Sequence, residues 1–138
     1  PLLQSSAASD VYKRQSLLPH KKDLIRSTVI KESTCLNQEP LMFQGVSSNV
    51  RIPVNVSGNG IELSVLKKSE KEDCWIVRVA ETNGRNSKGK LKLSGLITEC
   101  NLIEWDDIGE SVNVNNDFDL DLAPFEIKTF KIHQLKLD

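Results

Sequence analysis

The stretch IELSVLKKSEKEDCWIVRVAETNGR, residues 61–85, gives the clearest indication of the fold, because it contains two runs of alternating apolar residues separated by a charged segment. Successive side chains of an extended chain point to opposite faces, so each run can bury one face. The residues that share a face are Ile61, Leu63 and Val65 in the first run and Trp75, Val77 and Val79 in the second. With residues 69–73, SEKED, as the turn, the pattern predicts an antiparallel β-hairpin.

Further strands are predicted downstream of this hairpin. Cys74 and Ile76 add apolar groups to the other face of the second run, which predicts a strand covered on both sides near its start. Asn83-Gly84 is a turn signal, and the runs at 88–95 and 97–105 come after it, with Leu91 and Leu93 pointing inward in the first. We expect these consecutive strands to form a meander.

The last part of the chain repeats the alternation with greater regularity. In DFDLDL, residues 117–122, phenylalanine and leucine alternate with aspartate, which is typical of a half-buried strand. Pro124 cannot donate a ladder hydrogen bond, so pairing must break there before FEIKTFKI, residues 125–132. Because the apolar parity changes within this run, we expect a bulge or a change of covered face near Thr129.

The first part of the chain gives weaker signals. Residues 1–15 have no apolar period that continues beyond residue 15, and we expect them to be a non-native or disordered leader. Residues 16–60 are expected to be a loop-rich segment with edge strands, among them β-branched residues 24–31 and alternating residues 50–56, which contain Pro53. Residues 61–138 are expected to form the C-terminal domain of antiparallel β-structure. The predicted fold class is all-β, an antiparallel β-sandwich.

Composition excludes several classes of partner. The 138 residues suit one domain, and a net charge of -1 gives no general attraction to nucleic acid or to an anionic membrane. The apolar runs are too short and too often interrupted by charges for a transmembrane helix. Cys35, Cys74 and Cys100 are expected to be buried, reduced thiols, which favours a cytoplasmic location. Their spacing from His20 and His133 matches no zinc motif, so no metal site is expected.

No catalytic motif is recognised in the sequence. Asp117, Asp119 and Asp121 resemble the start of an EF-hand loop, but Leu122 and Lys128 stand where the loop needs glycine and glutamate, so a solvated strand face is expected instead. No serine or cysteine has a histidine at a motif spacing, and no glycine-rich phosphate loop occurs. Trp105, beside two aspartates in a predicted loop, is the one candidate for binding a sugar ring.

An ordered set of short segments then resembles a known family. The segments are Leu66-Lys67-Lys68, Ile76-Val77-Arg78-Val79, Glu81-Thr82-Asn83-Gly84, the strand at 99–104 and the run PFEIKT at 124–129. Together they are similar to the carboxyl-terminal β-domain of glycoside hydrolase family 38 α-mannosidases, over residues 60–132. The sequence departs from the family's pattern at Arg78-Val79-Ala80 and in the polar segment 86–90.

The resemblance implies a retaining α-mannosidase as the parent enzyme, which hydrolyses terminal α-D-mannose in glycan catabolism. The family's nucleophile, acid/base carboxylate and zinc ion belong to an amino-terminal catalytic domain, so no catalytic or metal residue is carried over to this fragment, which is expected to be inactive alone. Its implied partners are that catalytic domain and, through the parent, a mannose-containing glycan. The alternative is a stand-alone carbohydrate-binding or interaction module that uses Trp105.

Overall fold

A computed structural model describes residues 16–23, 27–38, 42, 44–45 and 53–135. The chain divides into two compact units, one ending at Phe43 and the other beginning at Gln44. The second unit contains all of the strands in the described residues. The predicted boundaries at residues 15 and 60 stay predictions.

The first unit contains a helix where the sequence predicted a strand. Helix α1 spans Val29–Asn37, and its side chains back-bond to the preceding turn: Thr34 Oγ1 donates to the carbonyl of Ile30 at 3.1 Å. The strand prediction for residues 24–31 is therefore wrong at its described end, residues 29–31, whereas residues 24–26 lie outside the described residues. β-Branched residues such as Ile30 lower helix propensity only slightly, so they can begin a helix. The polar residues that follow can then continue it.

The second unit is built from eight antiparallel strands in the described part of the chain, which confirms the all-β sandwich. One sheet has three strands in the order β1-β4-β7, and the other has five in the order β2-β3-β8-β5-β6. The strands are β1 Asn55–Gly58, β2 Ile61–Lys68, β3 Trp75–Glu81, β4 Ser87–Lys92, β5 Gly95–Cys100, β6 Val112–Val114, β7 Asp117–Leu122 and β8 Ile127–His133.

The hairpin of β2 and β3 forms as predicted, with one irregularity. The pairing runs from Ile61 opposite Glu81 to Lys68 opposite Trp75, and the register shifts between Leu63 and Val65. This bulge changes the face of the residues after it, so that Leu66 rather than Val65 packs against the core. Strict alternation could not predict this change, because an inserted residue inverts every later position in the strand.

The meander prediction is wrong beyond this hairpin. β4 pairs with β1 and β7 instead of β3, because the chain passes to the other sheet at the turn after Glu81. It returns for β5 near Gly95, whose φ of 157° is a value that glycine adopts readily. Of the predicted strand at 50–56, residues 50–52 lie outside the described residues, and β1 begins at Asn55 as an edge strand.

The core lies between the two sheets. Alternate residues of each strand meet there, as the pattern predicted: Val77, Val79, Leu91, Leu93, Leu120, Leu122, Phe130 and Ile132 are all buried, and Phe118 contacts Phe130 edge-to-face at 5.5 Å between ring centroids. Burial of such side chains is the main stabilising contribution in a domain of this size.

Of the two alternatives predicted near Thr129, strand β8 shows a change in which face is covered and no bulge. Its pairing with β3 and β5 is continuous, so no bulge occurs there. The change of parity arises because Phe125 and Ile127 are exposed, whereas Phe130 and Ile132 are buried in the core. Thr129 and Lys131 are buried as well, so this part of the strand is covered on both faces. Because both faces of this central strand are covered, polar residues on one face and apolar residues on the other can both be buried. The predicted break at Pro124 lies between β7 and β8.

The three cysteines differ in their surroundings. Cys74 and Cys100 are buried as predicted, whereas Cys35 is exposed on α1, so the prediction is wrong for that residue. Helix α1 buries none of its residues, which leaves its thiol open to solvent. In the residues described, no helix has the length and apolar character that a membrane crossing needs.

Candidate functional site

Trp105 lies in a closed loop that leaves its ring largely in solvent. The loop comes after β5 and ends where Cys100 bridges to Asp107. The side chain of Asn101 organises it, because its Oδ1 accepts from the backbone N–H of Trp105 at 2.9 Å and its Nδ2 donates to Asp106 Oδ2 at 2.8 Å. Trp105 is 62% exposed, so part of its indole ring is open to a ligand or a partner.

Glu104 fixes this loop to the five-stranded sheet. Its carboxylate contacts Arg78 Nη2 at 3.0 Å and Lys67 Nζ at 3.1 Å, and its side chain is mostly shielded from water. Arg78 also donates to Thr129 Oγ1 at 3.1 Å and to the carbonyl of Leu102 at 2.9 Å. Glu104 has a φ of 67°, a strained value for a residue with a side chain, and these charge-assisted bonds hold it there. The loop is therefore a preorganised surface feature.

A groove of about 300 Å³ lies between this loop and the β2–β3 turn. Its lining combines one aromatic ring with charged and hydroxyl groups: Lys67, Ser69, Glu70, Lys71, Ile103, Glu104 and Trp105. Lys71 Nζ lies 3.2 Å from the centroid of the Trp105 ring, a cation–π contact that covers one face of the indole. The groove has the chemistry to bind a polar ligand beside an aromatic platform, but Lys71 competes for that platform.

The aspartates of β7 form part of a solvated strand face, as the sequence predicted. Asp117 contacts Lys90 at 3.1 Å and Asp121 contacts Lys88 at 3.5 Å across the β4–β7 pair. The hydrogen bond from Lys90 to Asp117 and the two nearby carboxylates raise the pKa of Lys90. These cross-strand ion pairs explain the alternating acids without a calcium ion.

A buried lysine lies on the face of β8 that points away from the core. Lys131 is 3% exposed, and its Nζ contacts Glu72 at 2.9 Å and Asp107 at 3.0 Å. The hydrogen bond that it donates to Glu72 raises the pKa of Lys131 above its usual range. Asp107 also raises this pKa, whereas burial lowers it. The lysine therefore stays charged and ties the β2–β3 turn to the loop after β5.

Beside it, three residues with metal-binding chemistry converge. Glu72, Cys74 and His133 each offer one ligand atom, and these atoms lie within 4.8 Å of one another. The sequence does not reveal this group, because the histidine is far along the chain from the other two residues and no local motif connects them. The signal lies in pairing: Trp75 is opposite Ile132, so the neighbouring Cys74 and His133 meet at the same end of the sheet.

Comparison with known protein families gives one match. A family model described as the glycosyl hydrolases family 38 C-terminal beta sandwich domain matches residues 60–130, which is slightly more than half of the chain. The matched range begins just before β2 and ends within β8. Comparison with curated proteins gave no match.

Proposed function

Because the chain belongs to glycosyl hydrolase family 38, with residues 60–130 matching its C-terminal beta sandwich domain, we propose that it is part of a retaining α-mannosidase. The parent enzyme would remove terminal α-D-mannose residues from glycans, in glycan catabolism and in the cytoplasm. The observation that carries this proposal is the agreement between the family match and the described sandwich. The zinc ion of that chemistry would be held by the catalytic domain, and this chain's own residues would have a structural role.

We assign that role to an apolar surface formed by the segment between β5 and β6 together with the first residue of β6. Five large side chains there expose 47–66% of their area, and a surface of this kind is typical of an interaction site. They are Leu102, Ile103, Trp105, Ile108 and Val112, named here the β5–β6 surface. We propose that the catalytic domain of the same parent chain covers it.

Rigidity supports docking at this surface. Glu104 and Asp107 anchor the segment through ion pairs to Arg78 and Lys131, and the backbone N–H of Ile108 donates to the carbonyl of Glu99 at 2.8 Å. A surface that is already ordered loses little conformational entropy on binding, so its apolar area contributes more fully to affinity.

Replacing Ile108 by aspartate is expected to weaken binding to a family 38 catalytic domain from which the β-domain has been removed. Burying a charge in an apolar interface is costly, so the affinity should fall on the order of 30-fold. Isothermal titration calorimetry measures this effect. Asn59→Asp adds the same charge at an exposed position in the β1–β2 turn and should bind like the unmodified chain. Equal affinity of the Ile108 variant and the unmodified chain would contradict the assignment of this surface.

The second candidate function is a stand-alone carbohydrate-binding module, which the exposure of Trp105 beside the groove favours. Glycan-array binding by the chain separates the two proposals. If the chain binds a glycan and Trp105→Ala abolishes binding, the binding-module proposal is supported, and Lys71→Ala should then strengthen binding because it frees the indole face. Absence of glycan binding by the unmodified chain favours the structural role.

A further inference from the structure

The group formed by Glu72, Cys74 and His133 lies at the end of the β3–β8 pair, on the face opposite the core. Glu72 belongs to the β2–β3 turn, Cys74 directly precedes β3, and His133 is the last residue of β8. The thiol is buried at 1% exposure, whereas His133 and Glu72 expose 35% and 41% of their side chains. An ion could therefore enter from solvent past the histidine and the carboxylate and reach a sulfur ligand inside.

A hydrogen bond to one oxygen of the Glu72 carboxylate already orients the other oxygen toward His133. Glu72 Oε1 accepts from Lys131 Nζ at 2.9 Å, while Oε2 points toward His133 and lies 3.9 Å from its Nε2. Carboxylates that bind metals are commonly held in this way by a hydrogen bond to their second oxygen. Lys131 would be a positioning residue here, since it fixes Glu72 and leaves Oε2 free to coordinate.

The charges also balance when a divalent ion is added. In the metal-free chain, Glu72 and Asp107 carry two negative charges against the single positive charge of Lys131. A divalent ion with a Cys74 thiolate adds two positive charges and one negative charge, so the group becomes neutral. This reduces the electrostatic cost of placing a cation beside a buried lysine.

We propose that Glu72 Oε2, Cys74 Sγ and a ring nitrogen of His133 form a binding site for zinc, with water as the fourth ligand. Mixed sulfur, nitrogen and oxygen donors suit zinc, whereas calcium and magnesium prefer oxygen alone. Zinc distances of about 2.0–2.3 Å place tetrahedral ligands roughly 3.5 Å apart, so atoms now within 4.8 Å must close by about 1 Å. This site is separate from the zinc expected in the catalytic domain.

Binding at this site releases a proton. A cysteine binds zinc as the thiolate, so the Cys74 thiol must lose its proton when the ion binds. Zinc takes the thiolate, and the S–H proton passes to the buffer. The affinity is therefore expected to rise with pH.

The test is a titration of the full 138-residue chain with Zn²⁺ in competition with a chromophoric chelator, together with Co²⁺ absorption spectra. The chain carries Cys35→Ser in every case, because that exposed thiol could bind metal adventitiously. We expect one equivalent of Zn²⁺ and a Co²⁺ spectrum with a thiolate charge-transfer band and four-coordinate visible bands. Cys74→Ser should weaken binding at least about 100-fold and remove the charge-transfer band.

The matched control is Cys100→Ser, which removes the other buried thiol near Lys131 but no proposed ligand. It should bind like its parent. His133→Gln, at a partly exposed position, gives a second ligand variant if Cys74→Ser fails to fold, as monitored by circular dichroism without metal. The proposal is overturned if the parent chain binds no stoichiometric zinc, if the folded ligand variants bind as well as the parent, or if Cys100→Ser loses binding equally.

Discussion

Replacing Glu81 by glutamine is expected to lower the melting temperature of the sandwich on the order of 10 °C. The Glu81 side chain is buried, and its carboxylate accepts hydrogen bonds at 2.7–3.3 Å from the backbone N–H groups of Asn83, Gly84, Arg85 and Phe125 and from the hydroxyl of Ser87. These bonds join the turn where the chain changes sheet to the corner between β7 and β8. Glutamine replaces one acceptor oxygen by an NH₂ group, which would face donors and leave them unsatisfied.

Differential scanning calorimetry measures the change. Glu110→Gln is the matched control, since it makes the same substitution at an exposed glutamate and should leave the melting temperature nearly unchanged. A Glu81 variant as stable as this control would show that the hydrogen bonds do not hold the turn.

The same carboxylate predicts how stability depends on pH. Burial alone would raise the pKa of Glu81, but hydrogen bonds from Phe125, Asn83, Gly84 and Ser87 outweigh it and lower the pKa from 4.5 to about 2. A pKa that is depressed in the folded state stabilises the protein above the unfolded value and loses that effect as pH falls through the folded value. Unfolding in urea at several pH values should therefore show stability falling between about pH 4.5 and 2, with a smaller fall in Glu81→Gln.

Replacing Gly89 by alanine is expected to destabilise the three-stranded sheet by about 3 kcal/mol. Gly89 is paired with Gly58 across β1 and β4. A Cβ at Gly89 would lie 2.2 Å from the carbonyl oxygen of Ser57 and 3.2 Å from the Cα of Gly58. Both are backbone atoms, so the clash can be relieved only if the two strands separate.

Urea unfolding compares this variant with Lys88→Ala, which changes an adjacent exposed residue of the same strand. The lysine makes a solvent-exposed ion pair with Asp121, so its loss should cost less than about 1 kcal/mol. If the two variants unfold at the same urea concentration, β1 is not packed against β4 as described.

Local pattern predicted several strands of the second unit, but the strand predicted at 97–105 is wrong beyond Cys100, where β5 ends and a loop begins. Alternation identified β2, β3 and β7, because one face of each packs on the core and the other meets polar neighbours or solvent. It failed for sheet order, since β4 has the same alternation whether it pairs with β3 or with β7. At the sheet change, the Glu81 carboxylate accepts a hydrogen bond from Phe125, which is far along the chain, and sequence spacing does not reveal this contact.

Of the candidate site residues, some can be recognised from local sequence and others depend on contacts between distant parts of the chain. The sequence identified Trp105 as a loop aromatic, and the structure places it in an exposed loop, although its role stays a proposal. Lys131 could not be recognised, because a lysine in an alternating strand is ordinarily assigned to solvent, whereas here it is buried between Glu72 and Asp107. Contacts with two distant segments bury Lys131, and the pairing of β3 with β8 sets the position of His133.

We propose that this chain serves a family 38 glycosidase as a structural domain. The most direct measurement is hydrolysis of p-nitrophenyl α-D-mannopyranoside by a family 38 catalytic domain without its β-domain, with and without added chain. We expect no hydrolysis by the chain alone, a gain in the activity and thermal stability of the catalytic domain when the chain is added, and no gain with the α-glucoside. Hydrolysis by the chain alone, or unchanged activity and stability of the catalytic domain, would contradict it.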